Sequence, residues 1–102
     1  MTDYVSVTLN SKVAFSVHKK AFIEIINTIP KKINDVQVIN SKTDISISID
    51  GKKFSLYLEV KISDEIKIAN KINEIKNYLE THSMYLVDSK PLNIIINCVS
   101  RY

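Results

Sequence analysis

The chain predicts an α+β fold, a two-layer sandwich with two helices packed on one face of a largely antiparallel sheet, in the order β-α-β-β-β-α-β-β. Three observations carry this expectation. Ile45, Ile47 and Ile49 alternate with Asp44, Ser46 and Ser48, and Phe54, Leu56, Leu58, Val60 and Ile62 alternate with Ser55, Tyr57, Glu59 and Lys61, so each run has one dry and one wet face. Between the runs stands Asp50-Gly51, residue types that tolerate the positive φ angles of a type I′ turn. Beyond them Ile68, Ile72, Ile75 and Leu79 recur at helical spacing against Lys67, Asn70, Lys71, Glu74 and Lys76. A hairpin with one dry face followed by a helix with one dry stripe buries both by stacking them.

Register supports the hairpin. A two-residue loop at Asp50-Gly51 sets Ile47 opposite Phe54 and Ile45 opposite Leu56, and a four-residue loop through Lys53 also keeps the apolar faces together. A three-residue loop without a bulge would set apolar residues against polar ones.

Taken in order, Val5, Val7 and Leu9 alternate with Tyr4, Ser6 and Thr8 in a first strand covered on one face. Asn10 or Ser11 ends it and supplies a helix cap. Val13, Val17, Ala21, Ile25 and Thr28 then predict a helix from about Lys12 to Thr28, stopped by Pro30, with Lys31-Lys32 just beyond its C-terminus. Val36 to Ile39 reads as a short strand and Asn40-Ser41-Lys42 as a turn. Ser63-Asp64-Glu65 offers a cap and negative charge to the second helix. Thr81-His82-Ser83 breaks that helix, Met84 to Val87 reads as a strand, Asp88 to Pro91 as a loop, and Leu92 to Val99 as a closing strand.

The 102 residues are read as one domain, long enough to bury roughly two-thirds of the unfolded surface without a metal or disulfide staple. A formal charge of +3 is spread among charges of both signs, which permits nucleic-acid binding without requiring it. The single cysteine, Cys98, has no internal disulfide partner, and the N-terminus lacks the pattern of a secretory signal, so the expected location is cytoplasmic. The apolar runs are far shorter than the ~20 residues of a membrane-spanning helix, so membrane association would come through a partner.

One glycine excludes the phosphate-cradling loops, the dinucleotide fingerprint and the GXXG loop of KH domains. His18, His82 and Cys98 lack metal-ligand spacing, and Cys98 is in phase with the buried-side residues Leu92, Ile94 and Ile96. Each acidic residue has an account as a turn, cap or wet-face residue. No catalytic, cofactor-binding or metal-binding residues are assigned, and the chain is expected not to be an enzyme.

Two surfaces remain. The open sheet face should present Ser46, Ser48, Ser55, Tyr57, Asn93, Ile95 and Asn97, poor in charge with Tyr57 and Ile95 as anchors, as interface cores are. It is the candidate surface for self-association or for a protein partner, and an ordinary solvated sheet face is its alternative. The lysine pairs Lys19-Lys20, Lys31-Lys32 and Lys52-Lys53 are candidate phosphate contacts for a small basic RNA-binding or ribosome-associated module, or else solvated charge.

The final strand, Leu92-Asn93-Ile94-Ile95-Ile96-Asn97-Cys98-Val99, resembles the closing V-N-I-x-V-x-G-V pattern of the alkaline shock protein family, the Gls-type general stress proteins of Gram-positive bacteria. Val13, Val17 and Ala21 resemble its first-helix pattern, and Ile45 to Leu79 its hairpin followed by a helix. The chain departs from the family in having no glycine around Asn27 to Pro30, no tyrosine-glycine before the second helix, Cys98 in place of the last glycine, and an insertion at Lys90-Pro91. The resemblance implies a divergent, non-enzymatic member with a role in envelope homeostasis or stress response, able to self-associate and to be held at the membrane by a separate anchor protein. No catalytic residue carries over.

Overall fold

The computed structural model describes residues 3–9 and 13–102. It is an α+β protein in which helices pack against sheets, as the alternating and helical runs predict. Strands β1 (Tyr4–Leu9) and β2 (Val13–His18) form an antiparallel hairpin. Helix α1 (Lys19–Asn27) and the single turn α2 (Ile29–Lys32) follow. Then come β3 (Val36–Val38), a 3-10 turn at Asn40–Lys42, β4 (Asp44–Ile47), β5 (Phe54–Ile62), the long helix α3 (Ile68–Val87) and β6 (Asn93–Arg101).

β5 is the axis of the larger sheet. Its burial alternates along its whole length, with Phe54, Leu56, Leu58, Val60 and Ile62 buried and the residues between them half-exposed. The strands β4 and β3 pair antiparallel with its two halves in succession, and β6 pairs parallel along its other edge. The expected register holds, with Ile47 opposite Phe54 and Ile45 opposite Leu56. The loop spans residues 49–52, so Lys53 pairs with Ser48 instead of belonging to it. Ser48 donates its N–H to the Lys53 carbonyl (2.8 Å), and Gly51 donates to the Ser48 carbonyl (2.9 Å). Only Gly51 adopts positive φ there, at 74°, so the expected positive φ at Asp50 is not used. The Asp50 carboxylate instead accepts from the Ser48 hydroxyl (2.6 Å) and the Lys52 N–H (3.0 Å).

The element order departs from expectation at both helices, giving β-β-α-β-β-β-α-β apart from the single turns. The helix expected from Lys12 begins only at Lys19, and Val13–His18 is a strand. Val-Ala-Phe-Ser-Val-His fits a two-residue period as well as a four-residue one, and its β-branched and aromatic residues favour a strand once β1 lies alongside. The expected cap at Asn10 or Ser11 lies outside the described residues. The actual cap is His18, whose Nδ1 accepts the Lys20 N–H at 3.1 Å. Pro30 does not end the chain's helical path. It sits in the first turn of α2, where a missing N–H costs nothing, so Lys31 and Lys32 are helical.

At the second helix, Ser63-Asp64-Glu65 forms a turn and Lys67 occupies the cap position. The expected break at Thr81-His82-Ser83 and the strand at Met84 to Val87 are both absent, because α3 runs on to Val87. Its buried stripe is Lys71, Ile75, Leu79, Ser83 and Val87, a four-residue step that the break would have interrupted. Burial of Ser83 and Val87 outweighs the weak helix propensity of Thr, His and Ser. Asp88, in the left-handed region at φ 58°, closes the helix with its N–H on the Met84 carbonyl (3.0 Å). The first strand also joins a separate two-stranded sheet, so the single sheet expected is divided.

The core gathers Phe22, Ile26 and Ile29 of α1 and α2, the inner row of β5, and Ile75, Leu79 and Val87 of α3, with Val5 and Val7 of β1. Phe22 and Phe54 meet with ring centroids 4.8 Å apart. No helix among the described residues is long and apolar enough to cross a membrane.

Candidate functional site: the outer face of the β4–β5–β6 sheet

Because strand side chains alternate, the residues between the buried ones of β5 define the outer face, and its register builds rows across three strands. Ser46, Ser55 and Asn93 form one row, and Asp44, Tyr57 and Ile95 the next. Glu59 and Asn97 form a third, short row. The structure thus brings together Ser46, Ser55, Tyr57, Asn93, Ile95 and Asn97. Ser48 lies at the margin, its hydroxyl bonded to Asp50 and accepting the Lys53 N–H at 3.0 Å. A depression of about 260 Å³ at this end of the sheet is lined by Ser46, Ile47, Ser48, Lys53, Phe54, Ser55 and Leu92, residues of both faces.

Glu59, a wet-face residue by its position in the alternation, organises the middle of this surface. The Tyr57 hydroxyl donates to its carboxylate at 2.6 Å, and the Asn97 amide donates to the Tyr57 oxygen at 3.2 Å. The bond to the Glu59 carboxylate holds the phenolic proton and raises the Tyr57 pKa, while donation from Asn97 to the oxygen pulls it down. The signal was available in the sequence, since Tyr57 and Glu59 are two apart on one strand face. Asp44 and Glu59 also correct the expectation of a charge-poor face. Charge is concentrated on the β4 and β5 side, and Asn93 to Ser100 of β6 carries none. Ile95 (50 % exposed) is the apolar centre of that uncharged strip.

The lysine pairs sit on three elements. The Lys19 ammonium is 3.3 Å from the Asp3 carboxylate. Asp3 precedes β1, and Ser6 of the same strand donates to the Gly51 carbonyl (2.8 Å), so Lys19-Lys20 and Lys52-Lys53 flank one strand. Lys31 and Lys32 lie beyond the far end of α1.

On the helical side, α1 and α3 leave a groove of about 480 Å³ lined by Ala21, Glu24, Ile25, Thr28, Lys32, Tyr78, His82 and Leu86. The hydroxyls of Thr28 and Tyr78 share a hydrogen bond at 3.0 Å, and the Tyr78 and His82 rings lie 4.3 Å apart. His82, expected at a helix end, thus stands within α3 as part of a wall between helices. Cys98 is half-buried with its thiol donating to the Ser100 carbonyl (3.4 Å). Among the described residues no group of three or more His, Cys, Asp and Glu is placed to hold a metal ion. Comparison of the chain with protein-family models, curated proteins and solved structures finds no significant match in any of the three.

Proposed function

We propose that this chain is a non-enzymatic interaction module that binds a protein through the β6 side of its outer sheet face. The observation that carries the reading is the strip from Asn93 to Ser100, uncharged, centred on exposed Ile95 and backed by Tyr57. Interface centres are depleted in charge and enriched in aromatic anchors; this strip carries no charge, and Tyr57 of β5 stands beside it as the aromatic residue. The resemblance of the closing strand to the alkaline shock proteins supports the same class of function, with a role in envelope homeostasis or stress response and attachment to the membrane through a separate anchor protein. That resemblance rests on the closing strand and the hairpin followed by a helix, since Val13 and Val17 belong to β2 rather than to a helix.

The test compares wild-type protein with Tyr57→Lys and Ile95→Lys as bait, after circular dichroism has established that each variant folds. Protein partners retained by the wild type and lost by both variants support the proposal. Retention unchanged in both overturns it. Fluorescence anisotropy with ribosomal RNA at about 50 and 200 mM salt runs in parallel, and tight binding that weakens steeply with salt would favour the lysine-based reading instead.

A further inference from the structure

The segment Asn93-Ile94-Ile95-Ile96-Asn97 reads the same in both directions. It lies in β6, which pairs with β5 on one edge and with no other strand among the described residues. The two flanks of β5 differ. On one side β3 and β4 are three and four residues long and are interrupted by the turn at Asn40–Lys42. Short, broken strands discourage further pairing. On the other side β6 runs for nine residues, and none of Asn93 to Ser100 is charged, Pro or Gly. Its C-terminal end is anchored. The Arg101 guanidinium donates to the carbonyls of Ile62 (3.1 Å), Ser63 (2.7 Å) and Ile66 (2.5 Å), and the Tyr102 carbonyl accepts from Asp64 (2.8 Å).

Backbone direction makes the edge usable. Leu92 donates its N–H to the Phe54 carbonyl at 2.7 Å. Successive strand residues turn their amides to opposite edges, so Ile94 and Ile96 also address β5, and Asn93, Ile95 and Asn97 address the open edge. If a second copy lies antiparallel about a two-fold axis through Ile95, Asn93 faces Asn97 of that copy, Ile94 faces Ile96, and Ile95 faces itself. Every match is between like side chains, on both faces of the sheet. An amide both donates and accepts, so two opposed asparagines satisfy each other, which two carboxylates or two ammonium groups could not do. A two-fold axis one residue away sets Ile95 against Asn97, and half-residue slips put apolar rows against polar ones.

The inner row supplies an independent reason for a partner. The β5 residues Leu56, Leu58 and Val60 are at most 2 % exposed, whereas Ile94, Ile96 and Cys98 of β6, though packed against the core, are only partly buried. The same row of a second copy would complete their cover. We propose that a second copy of this chain pairs antiparallel with β6 about Ile95, joining two sheets into one. This rests on the reading of the β6 side as a protein-binding surface and names its occupant.

The experiment uses the full chain. Light scattering at about 100 μM tests for a dimer. In a Cys98→Ser background, I95C and N97C are oxidised separately under identical conditions. Opposed Cα atoms of a hydrogen-bonded antiparallel pair lie about 5.5 Å apart, within disulfide reach. Two I95C thiols would meet this condition, while N97C thiols would be offset by roughly 13 Å. The expected result is a dimer, cross-linking of I95C at least about tenfold faster than N97C, and a dimer dissociation constant raised at least about tenfold in the folded variant Ile95→Lys, where like charges oppose. A monomer, equal cross-linking of the two variants, or an unchanged constant in Ile95→Lys would overturn the proposal. A monomer that still loses a captured protein on Ile95→Lys overturns self-pairing alone and leaves the protein-binding reading standing.

Discussion

Gly51 accepts the backbone N–H of Ser6 at 2.8 Å, and this bond fastens the β1–β2 hairpin to the turn of the central one. A Cβ added at Gly51 would lie 2.7 Å from the Ser6 hydroxyl and 3.2 Å from the Tyr4 carbonyl, on a backbone at φ 74°. Gly51→Ala is therefore expected to destabilise the fold by about 1–3 kcal/mol, measured by chemical denaturation. Pairing it with Ser6→Gly should recover part of the loss, because the contact with the Ser6 side chain goes while the close approach to the Tyr4 carbonyl and the backbone strain stay. Full wild-type stability in Gly51→Ala would show that the two hairpins are not held this closely.

The continuity of α3 through its polar segment is testable at its far end. Val87 is 2 % exposed and completes the stripe that contains Leu79 and Ser83. Val87→Asp should cost more than about 3 kcal/mol, since a carboxylate there has no solvent. Leu79→Ala should cost about 2–5 kcal/mol. A cost below about 1 kcal/mol for Val87→Asp, close to that of a surface substitution, would place this residue outside the core.

Arg101 holds the end of β5 to the turn that leads into α3 through carbonyls alone. Arg101→Ala should lower stability by about 1 kcal/mol through the loss of these charge-assisted hydrogen bonds, since the Ile62 and Ser63 carbonyls keep the backbone N–H groups of Tyr102 and Ile66 as donors. Arg101→Lys should recover little of it, because one ammonium does not reproduce the planar fork that reaches several acceptors. Equal stability of the lysine variant and the wild type would argue against this geometry.

Two titrations follow from the hydrogen bonds. The Ser48 hydroxyl, the Lys52 N–H and the charges of Lys52 and Lys53 hold Asp50 below the ordinary carboxylate pKa. A lowered folded-state pKa contributes stability above the unfolded value of about 3.9 and loses it as pH falls through the folded value. Asp50→Asn should therefore flatten the acid limb of the stability profile; an identical limb in the variant would rule Asp50 out as a contributor.

For Tyr57 the sign is reversed. Its pKa is raised, chiefly by Glu59, so its contribution is complete below the unfolded value of about 10 and disappears as pH rises through the folded one. Glu59→Gln should bring the Tyr57 titration, followed by its ring resonances in NMR, back toward that of a free tyrosine. No movement would mean that the 2.6 Å bond is not formed in solution.

The sequence by itself determined the middle of the protein. Strict alternation in Phe54–Ile62 specifies one buried row, and the register to β4 follows because any one-residue slip would turn that row to solvent. Ile75 and Leu79 of the second helical stripe and the α+β class follow from the same patterning, whereas the start of that stripe does not: Ile68 is exposed and Lys71, expected on the wet face, is buried. Six residues of the candidate face were legible for that reason, since side-chain direction in a strand depends on parity alone. Tertiary structure decided the ambiguous segments. Val13–His18 fits two periods, and only the neighbouring β1 makes it a strand. Thr81-His82-Ser83 looks like a break until the burial of Ser83 and Val87 holds the helix together. The bond from Tyr57 to Glu59, the parallel docking of β6 and its open edge likewise depend on which strands become neighbours. Local patterns record which side of an element is dry, but the choice of neighbour is made by the packing of the whole chain.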